Sequence, residues 1–321
     1  MRVRRLGLVV GAALWAAAGA WAQTPAAGKP KTVRLLNVGN SFSQDATRLL
    51  GGLVKAAGHT LVHRQASVGG SSLELHWGKV EAHEKDPQDK AGLYASGKGL
   101  REELASEAWD VVTIQQASIK SHDVKTYRPF AGKLYAYIQQ HAPKARILLH
   151  ETWAYRCDDP RFAVKEPKPG EPSTQEAMYR GLRSAYETIA AELGTKLIPV
   201  GDALWLADSD ATWGYRPDKA LDRKAAVAPA LPDQTHSLHV GYKWGKDKDG
   251  KATLGMDGHH ASPAGQYLGA CVFFEVLYGE SAVGNTFVPP NLPADYVRFL
   301  QETAHRAVVE RQRLDTGAAG K

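Results

Sequence analysis

Val33 to Ser43 constrains this chain more than any other stretch. Val33 to Val38 is a short, mostly apolar run that begins and ends on a β-branched valine, and it reads as a strand buried in a sheet. It stops at Gly39-Asn40, two turn residues. Beyond Asp45, Leu49, Leu50, Leu53 and Val54 recur at helical spacing. Ser41 therefore sits on the first strand-to-helix turn. In open α/β sheets, ligands bind at that carboxyl edge. A serine hydroxyl there is either a nucleophile or, like Ser43, a helix cap.

The alternation continues. Strands are expected at 60–66, 110–115, 145–151 and 195–200, with helices at 73–84, 100–109, 130–140 and along the stripe Met178, Leu182, Tyr186, Ile189 and Leu193, which Gly194 closes. This pattern predicts an α/β protein: a three-layer α/β/α, flavodoxin-like fold with a central parallel sheet of about five strands. Residues 214–256 lack periodicity but hold Tyr215, Tyr242 and Trp244, and are read as a long insertion or lid.

The ends are read differently. Arg2, Arg4 and Arg5 precede the apolar run Leu6 to Ala18, and Ala20-Trp21-Ala22 fits a cleavage site before Gln23. Residues 1–22 are thus expected to be a signal peptide, followed by a linker over 23–32, one domain over 33–313 and a disordered tail over 314–321. A cleaved leader puts the protein in the periplasm or outside the cell, without stable membrane insertion. It would also leave 37 basic and 34 acidic residues, a net charge of +3. No dense Lys/Arg block interleaved with aromatics appears, so nucleic acid is not an expected partner. Cys157 and Cys271 are the two cysteines, a disulfide between them being one alternative. They form no zinc pattern, and no metal or cofactor is expected.

The other chemistry-bearing stretch is Asp257-Gly258-His259-His260-Ala261-Ser262-Pro263. Ser262 and Pro263 suit the cap and first residue of a buried helix ending near Tyr278. An Asp three residues before a His can accept the imidazole Nδ1–H and leave Nε2 free as a base. The spacing favours His260 over His259. A solvated turn is the bland alternative. So is a metal-dependent hydrolase, in which His236, His239, Asp257, His259 and His260 gather an ion.

Five ordered motifs, Gly39 to Ser43, Ser72 to Trp77, Trp109 to Ser118, Thr152 to Tyr155 and Asp257 to Leu268, carry a resemblance. They resemble the SGNH (GDSL-type) hydrolase superfamily, and more closely a bacterial branch classed as a domain-of-unknown-function family. The resemblance implies a serine esterase, which the expected leader would export. Ser41, His260 and Asp257 would be the triad, and Ser41 and Gly70 N–H groups would serve the oxyanion hole. Where the superfamily offers a Gly-x-Asn, this chain has Gln115-Gln116-Ala117-Ser118, so the Gln115 side-chain amide, or alternatively that of Gln116, is expected to complete the hole. Trp153, Tyr242 and Trp244 are the expected substrate-binding aromatics, with Tyr215 and Trp77 as further flat faces. The expected partner is a small-molecule or polysaccharide ester, in the first instance an O-acetylated carbohydrate. The alternatives are a lipid or small-ester hydrolase on the same triad, or a non-catalytic carbohydrate-binding protein on an esterase scaffold.

Overall fold

A computed structural model describes residues 29–219, 221 and 225–317. The expected signal peptide lies outside the described residues, as do 318–321 of the expected tail. The chain runs β1 (Thr32–Gly39), α1 (Ser41–Thr47), α2 (Leu50–Ala56), β2 (Thr60–Ser67), α3 (Leu73–Lys85), α4 (Leu100–Ala105), β3 (Val111–Ile114), α5 (Phe130–His141), β4 (Arg146–His150), α6 (Gln175–Leu193), β5 (Lys196–Ile198), α7 (Val200–Asp208), β6 (His239–Lys246), β7 (Ala252–Ala261), α8 (Pro263–Tyr278) and α9 (Ala294–Asp315).

Strands β1 to β5 form a parallel sheet in the order β2-β1-β3-β4-β5. That is the flavodoxin-like order, whose switch point lies between β1 and β3. Leu35, Leu36, Val38, Val111, Val112 and Ile114 are buried, as strands covered on both faces require. Helices α3, α4, α5 and α6 pack together as one layer, and α1, α2, α7, α8 and α9 as the other. Helix α8 is buried nearly all round, between α1, α7 and α9. Ser262 caps it as expected, accepting the Gly265 N–H at 3.3 Å, with Pro263 in the first turn. Among the described residues no helix is long and apolar enough to cross a membrane.

Three expectations need correction. The aperiodic 214–256 region is partly a regular antiparallel hairpin, β6 paired with β7 from Lys246↔Ala252 back to His239↔Ala261. Asp257 and His260 consequently lie in a strand, β7, and not on a turn. The hairpin is held by Arg156, buried between the rings of Tyr215 and Tyr242 and bonded to Asp158, Gln234 and Ser237. Its backbone N–H also binds Gly258 O at 2.8 Å. Gly241, at φ +70, lies where a Cβ would meet the Arg156 guanidinium at 2.2 Å. Arg156 thus ties the base of the ribbon to the domain. The cysteine question, left open by the sequence, is answered by two free thiols: Cys157 is exposed and Cys271 is buried in α8. Finally, α9 runs to Asp315, into the stretch expected to be a disordered tail.

Gly265, in the first turn of α8, lets the helix start against the loop leading into β6: an added Cβ would lie 2.2 Å from Leu238 O. Backbone cannot yield as a side chain can. Gly265→Ala is therefore expected to destabilise the fold by about 1–3 kcal/mol, read from urea denaturation. An unchanged midpoint would contradict this packing.

Candidate active site

The β1–α1 turn is built by Asn40. Its side chain caps α1, accepting the Phe42 N–H at 2.9 Å, and donates to Ser71 O at 2.9 Å. The cap is thus Asn40 and neither serine. Ser43 Oγ donates to Asn40 O at 2.8 Å. Ser41 occupies the first helical position with its hydroxyl toward β7.

There His260 Nε2 lies 3.0 Å from Ser41 Oγ, and His260 Nδ1 lies 3.1 and 3.2 Å from the two Asp257 oxygens. The His260 backbone N–H also donates to Asp257 Oδ1 at 3.1 Å. Asp257 Oδ2 further accepts Lys243 Nζ at 3.3 Å. Burial alone would raise the Asp257 pKa. The His260 ring and backbone hydrogen bonds outweigh it and, with the two neighbouring imidazoles, hold the carboxyl well below the usual carboxylate range. The hydrogen bond to Asp257 pushes His260 above its ordinary 6.5, against the opposing effect of burial. His259 is shifted down by burial. The expected Ser41, His260 and Asp257 are therefore brought into one hydrogen-bonded row.

This row borders a cleft of about 250 Å³ lined by Asn40, Ser41, Phe42, Gly70, Ala117, Ser118, Ile119, Tyr155, Arg161, His259 and His260. Ser41 follows β1 and Ala117 follows β3, so the cleft opens at the sheet's switch point.

The oxyanion expectation for glutamine is corrected. Gln115 is only 2% exposed, and its amide donates to Asn40 Oδ1 at 2.8 Å while its carbonyl accepts His150 Nδ1–H at 3.0 Å. Burial lowers the His150 pKa to about 3 and keeps that ring neutral. Gln116 turns to Thr126 O with its amide, and its carbonyl accepts the Leu73 and Ala117 N–H groups. Neither side chain lines the cleft. Gly70 does, at φ +67.

The expected aromatics are also displaced from the cleft. Trp153 is 1% exposed, stacked on Phe42 at 4.2 Å, and donates to His259 O at 2.9 Å. It supports the histidine strand from beneath. Tyr242 is buried against Arg156, and Trp244 donates to Ala230 O at 2.8 Å. Tyr215 lies on the other face of Arg156, and Trp77 stands beside Tyr137 and Lys133 on the α3–α5 surface. The aromatics that do line the cleft are Phe42, in the first motif, and Tyr155, the last residue of the fourth.

Sequence reading missed three residues. Asp45, one helical turn after Ser41, accepts the Ala261 N–H at 3.1 Å and so ties α1 to the end of β7. Its signal was a carboxylate four residues, one helical turn, after the serine. His76, inside the second motif, is fully buried; its Nε2 lies 3.0 Å from Gly39 O and 2.8 Å from Ser71 Oγ, and its Nδ1 accepts Tyr94 OH at 2.9 Å. Burial lowers its pKa to about 4, so it is a neutral strut under the β1 turn. Arg161, in a polar loop, had no signal. Asp257, His259 and His260 also offer donor atoms within 4.8 Å of one another. The other two histidines weighed as ligands lie apart: His239 Nε2 donates to Ala154 O at 3.0 Å, and His236 packs on Trp213 and Tyr296.

The model of a family described as "Domain of unknown function (DUF4886)" matches residues 34–210. A search of curated proteins returns no match. Among solved structures, the chain is similar to a DUF4886 family protein from Bacteroides uniformis, at 24% identity and TM-score 0.65, covering 87% of this chain and 95% of that one. A candidate SGNH hydrolase from Slackia heliotrinireducens follows at 22% identity and TM-score 0.46, covering 76% and 98%. The periplasmic domain of a lipopolysaccharide acetyltransferase from Salmonella Paratyphi A gives 13% and 0.43, covering 77% and 82%. The first likeness shows a shared fold.

Removing Gln115 leaves Asn40 Oδ1 and the buried His150 Nδ1–H short of partners. Gln115→Ala is expected to cost about 1–3 kcal/mol of unfolding free energy, measured by urea denaturation. An undiminished stability with kcat lowered about 10²–10³-fold would instead return the amide to the oxyanion hole.

Proposed function

We propose, for this member of the DUF4886 family, that the parallel α/β sheet and the site geometry are those of an SGNH-type exported serine esterase. The observation that carries this reading is the row Ser41 Oγ, His260 Nε2, His260 Nδ1, Asp257, with hydrogen-bond distances of 3.0 and 3.1 Å. His260 takes the Ser41 proton as Oγ attacks the ester carbonyl carbon. The carbonyl electrons move to oxygen. As the tetrahedral intermediate collapses, the bond to the alcohol oxygen breaks and His260 returns the proton to the departing alcohol. Water, deprotonated by the same imidazole, then hydrolyses the acyl-enzyme.

Backbone N–H groups of Ser41 and Gly70 are the oxyanion donors in this reading. The first N–H groups of a helix have no partner within it, and Gly70 stands across the cleft. Asp257 fixes the His260 tautomer and stabilises the imidazolium.

A cleft of about 250 Å³ is smaller than the usual 300–1,000 Å³ of ligand pockets. It suits a short acyl group such as acetyl, with the alcohol part outside. An O-acetylated carbohydrate therefore remains the preferred substrate class. Its support is the cleft's size. Export rests on the basic and apolar segments before Gln23.

The cluster of Asp257, His259 and His260 favours one second reading, a metal-dependent hydrolase, since these residues could ligate a divalent ion through their ring nitrogens and carboxylate. Under it, chelation abolishes turnover and Ser41→Ala retains it.

Under the serine mechanism, Ser41→Ala and His260→Ala should each lower kcat on nitrophenyl acetate by at least about 10³ with the fold unchanged by circular dichroism. Loss in His259→Ala but not His260→Ala would reassign the base. Protonated His260 cannot accept the serine proton, so kcat/KM should fall as pH drops through a pKa above 6.5. Asp257→Asn removes the interaction that raises this pKa. It should shift the acid limb to lower pH while reducing kcat. A limb that stays in place would contradict the Asp257–His260 coupling.

A further inference from the structure

The small cleft continues into a second cavity of about 330 Å³ that shares Ile119, Tyr155 and Arg161 with it. Four features of this groove bear on what it takes. Ile119 and Val164 are 44% and 53% exposed, unusual for large apolar side chains, and both line it. Phe162 and Met178 complete an apolar floor. His122 also lines it with a side chain only 10% exposed, and its buried Nδ1 has no hydrogen-bond partner among the described residues. Lastly, Arg161 stands at the junction of the two cavities.

Arg161 is the only permanently charged side chain among the described residues lining the catalytic cleft. Its guanidinium lies 4.7 Å over the Tyr155 ring, and the Tyr155 hydroxyl is itself bonded to Ser118 at 2.9 Å. The loop beneath it is fixed as a short 3₁₀ turn, Pro160–Ala163, capped by Asp159, which accepts the Arg161 N–H at 2.9 Å. Among the described residues no carboxylate lies within 4 Å of the guanidinium. Lys243, the nearby cation, is paired with Asp257. The other charged residues lining the groove, Lys168, Glu166 and Glu171, sum to −1, so its positive charge toward the catalytic cleft is that of Arg161, the one charged residue the two cavities share.

We infer that this groove is the subsite for the alcohol part of the ester, and that Arg161 selects an alcohol bearing a carboxylate: an O-acylated acidic sugar. The inference rests on the esterase reading of Ser41. A sugar ring presents an apolar face to Ile119, Phe162 and Val164. Its carboxylate matches the planar guanidinium fork, which an ammonium would not. Arg161 is thus a specificity residue.

The test pairs binding with turnover. Binding of a hexuronate oligosaccharide and of a neutral xylo-oligosaccharide to Ser41→Ala protein is measured by calorimetry, with and without Arg161→Gln. Turnover is measured on the acetylated forms of both, with nitrophenyl acetate run alongside. The acidic ligand should bind at least about tenfold tighter than the neutral one. Arg161→Gln should remove that preference and lower the acidic-to-neutral ratio of kcat/KM about tenfold, chiefly through KM. Arg161→Lys should restore it in part. Equal binding of both ligands, an Arg161→Gln effect identical on both, or a preference for a phosphorylated sugar over the hexuronate would overturn the inference. Selective hexuronate binding without turnover of any ester, nitrophenyl acetate included, would overturn the esterase reading and leave the subsite standing.

Discussion

The hydrogen bond from the Ala261 N–H to the Asp45 carboxylate joins two parts of the chain that the site cannot do without. Ser41 is on α1, after the first strand. His260 is on β7, 219 residues later. Neither element alone sets the 3.0 Å between their side chains. Asp45 stands one turn along the same helix as the serine, and Ala261 is the next residue after the histidine. A single buried carboxylate thus fixes the register of helix against strand at the point where Ser41 meets His260. The close packing of α1 on α8 at Ala46 and Gly269 supports the same contact from below.

Around this joint the buried histidines and amides form hydrogen-bonded chains beneath the cleft. His76 holds Gly39 O and Ser71, while His150, Gln115 and Asn40 form a chain that ends at the cap of α1. Burial lowers both histidine pKa values to about 4 and about 3, so neither contributes charge beneath the cleft. The charged exceptions face the other way. Asp257 is held ionised by its histidines and Lys243, and Arg161 stands at the mouth. A site built thus keeps its serine turn rigid while leaving one base free to titrate.

Much of the frame was legible in the sequence because parallel strands buried on both faces are continuous apolar runs with turns after them. The five central strands, Ser41 at the first turn, the Ser262 cap and the Asp257–His260 spacing all follow from local patterns. The β6–β7 hairpin was not legible. Gly241, Gly245, Gly255 and Gly258 interrupt its alternation, and much of the ribbon is exposed on both faces, so no period of two survives. Side-chain direction was equally hidden. Gln115 looked like an oxyanion donor by its position at a strand end, yet its amide turns inward to Asn40. Trp153 and Tyr242 looked like sugar platforms, yet Phe42 and Arg156 take their faces. These are tertiary facts, decided by partners distant in the chain.

Intact-mass spectrometry after incubation with a serine-directed fluorophosphonate tests the central claim most directly, because it asks only whether Ser41 is activated and needs no known substrate. The account predicts a single adduct that maps to Ser41, forms more slowly as His260 is protonated at low pH, and is absent in His260→Ala. An unlabelled protein, or an adduct on another serine with Ser41 intact, would contradict it.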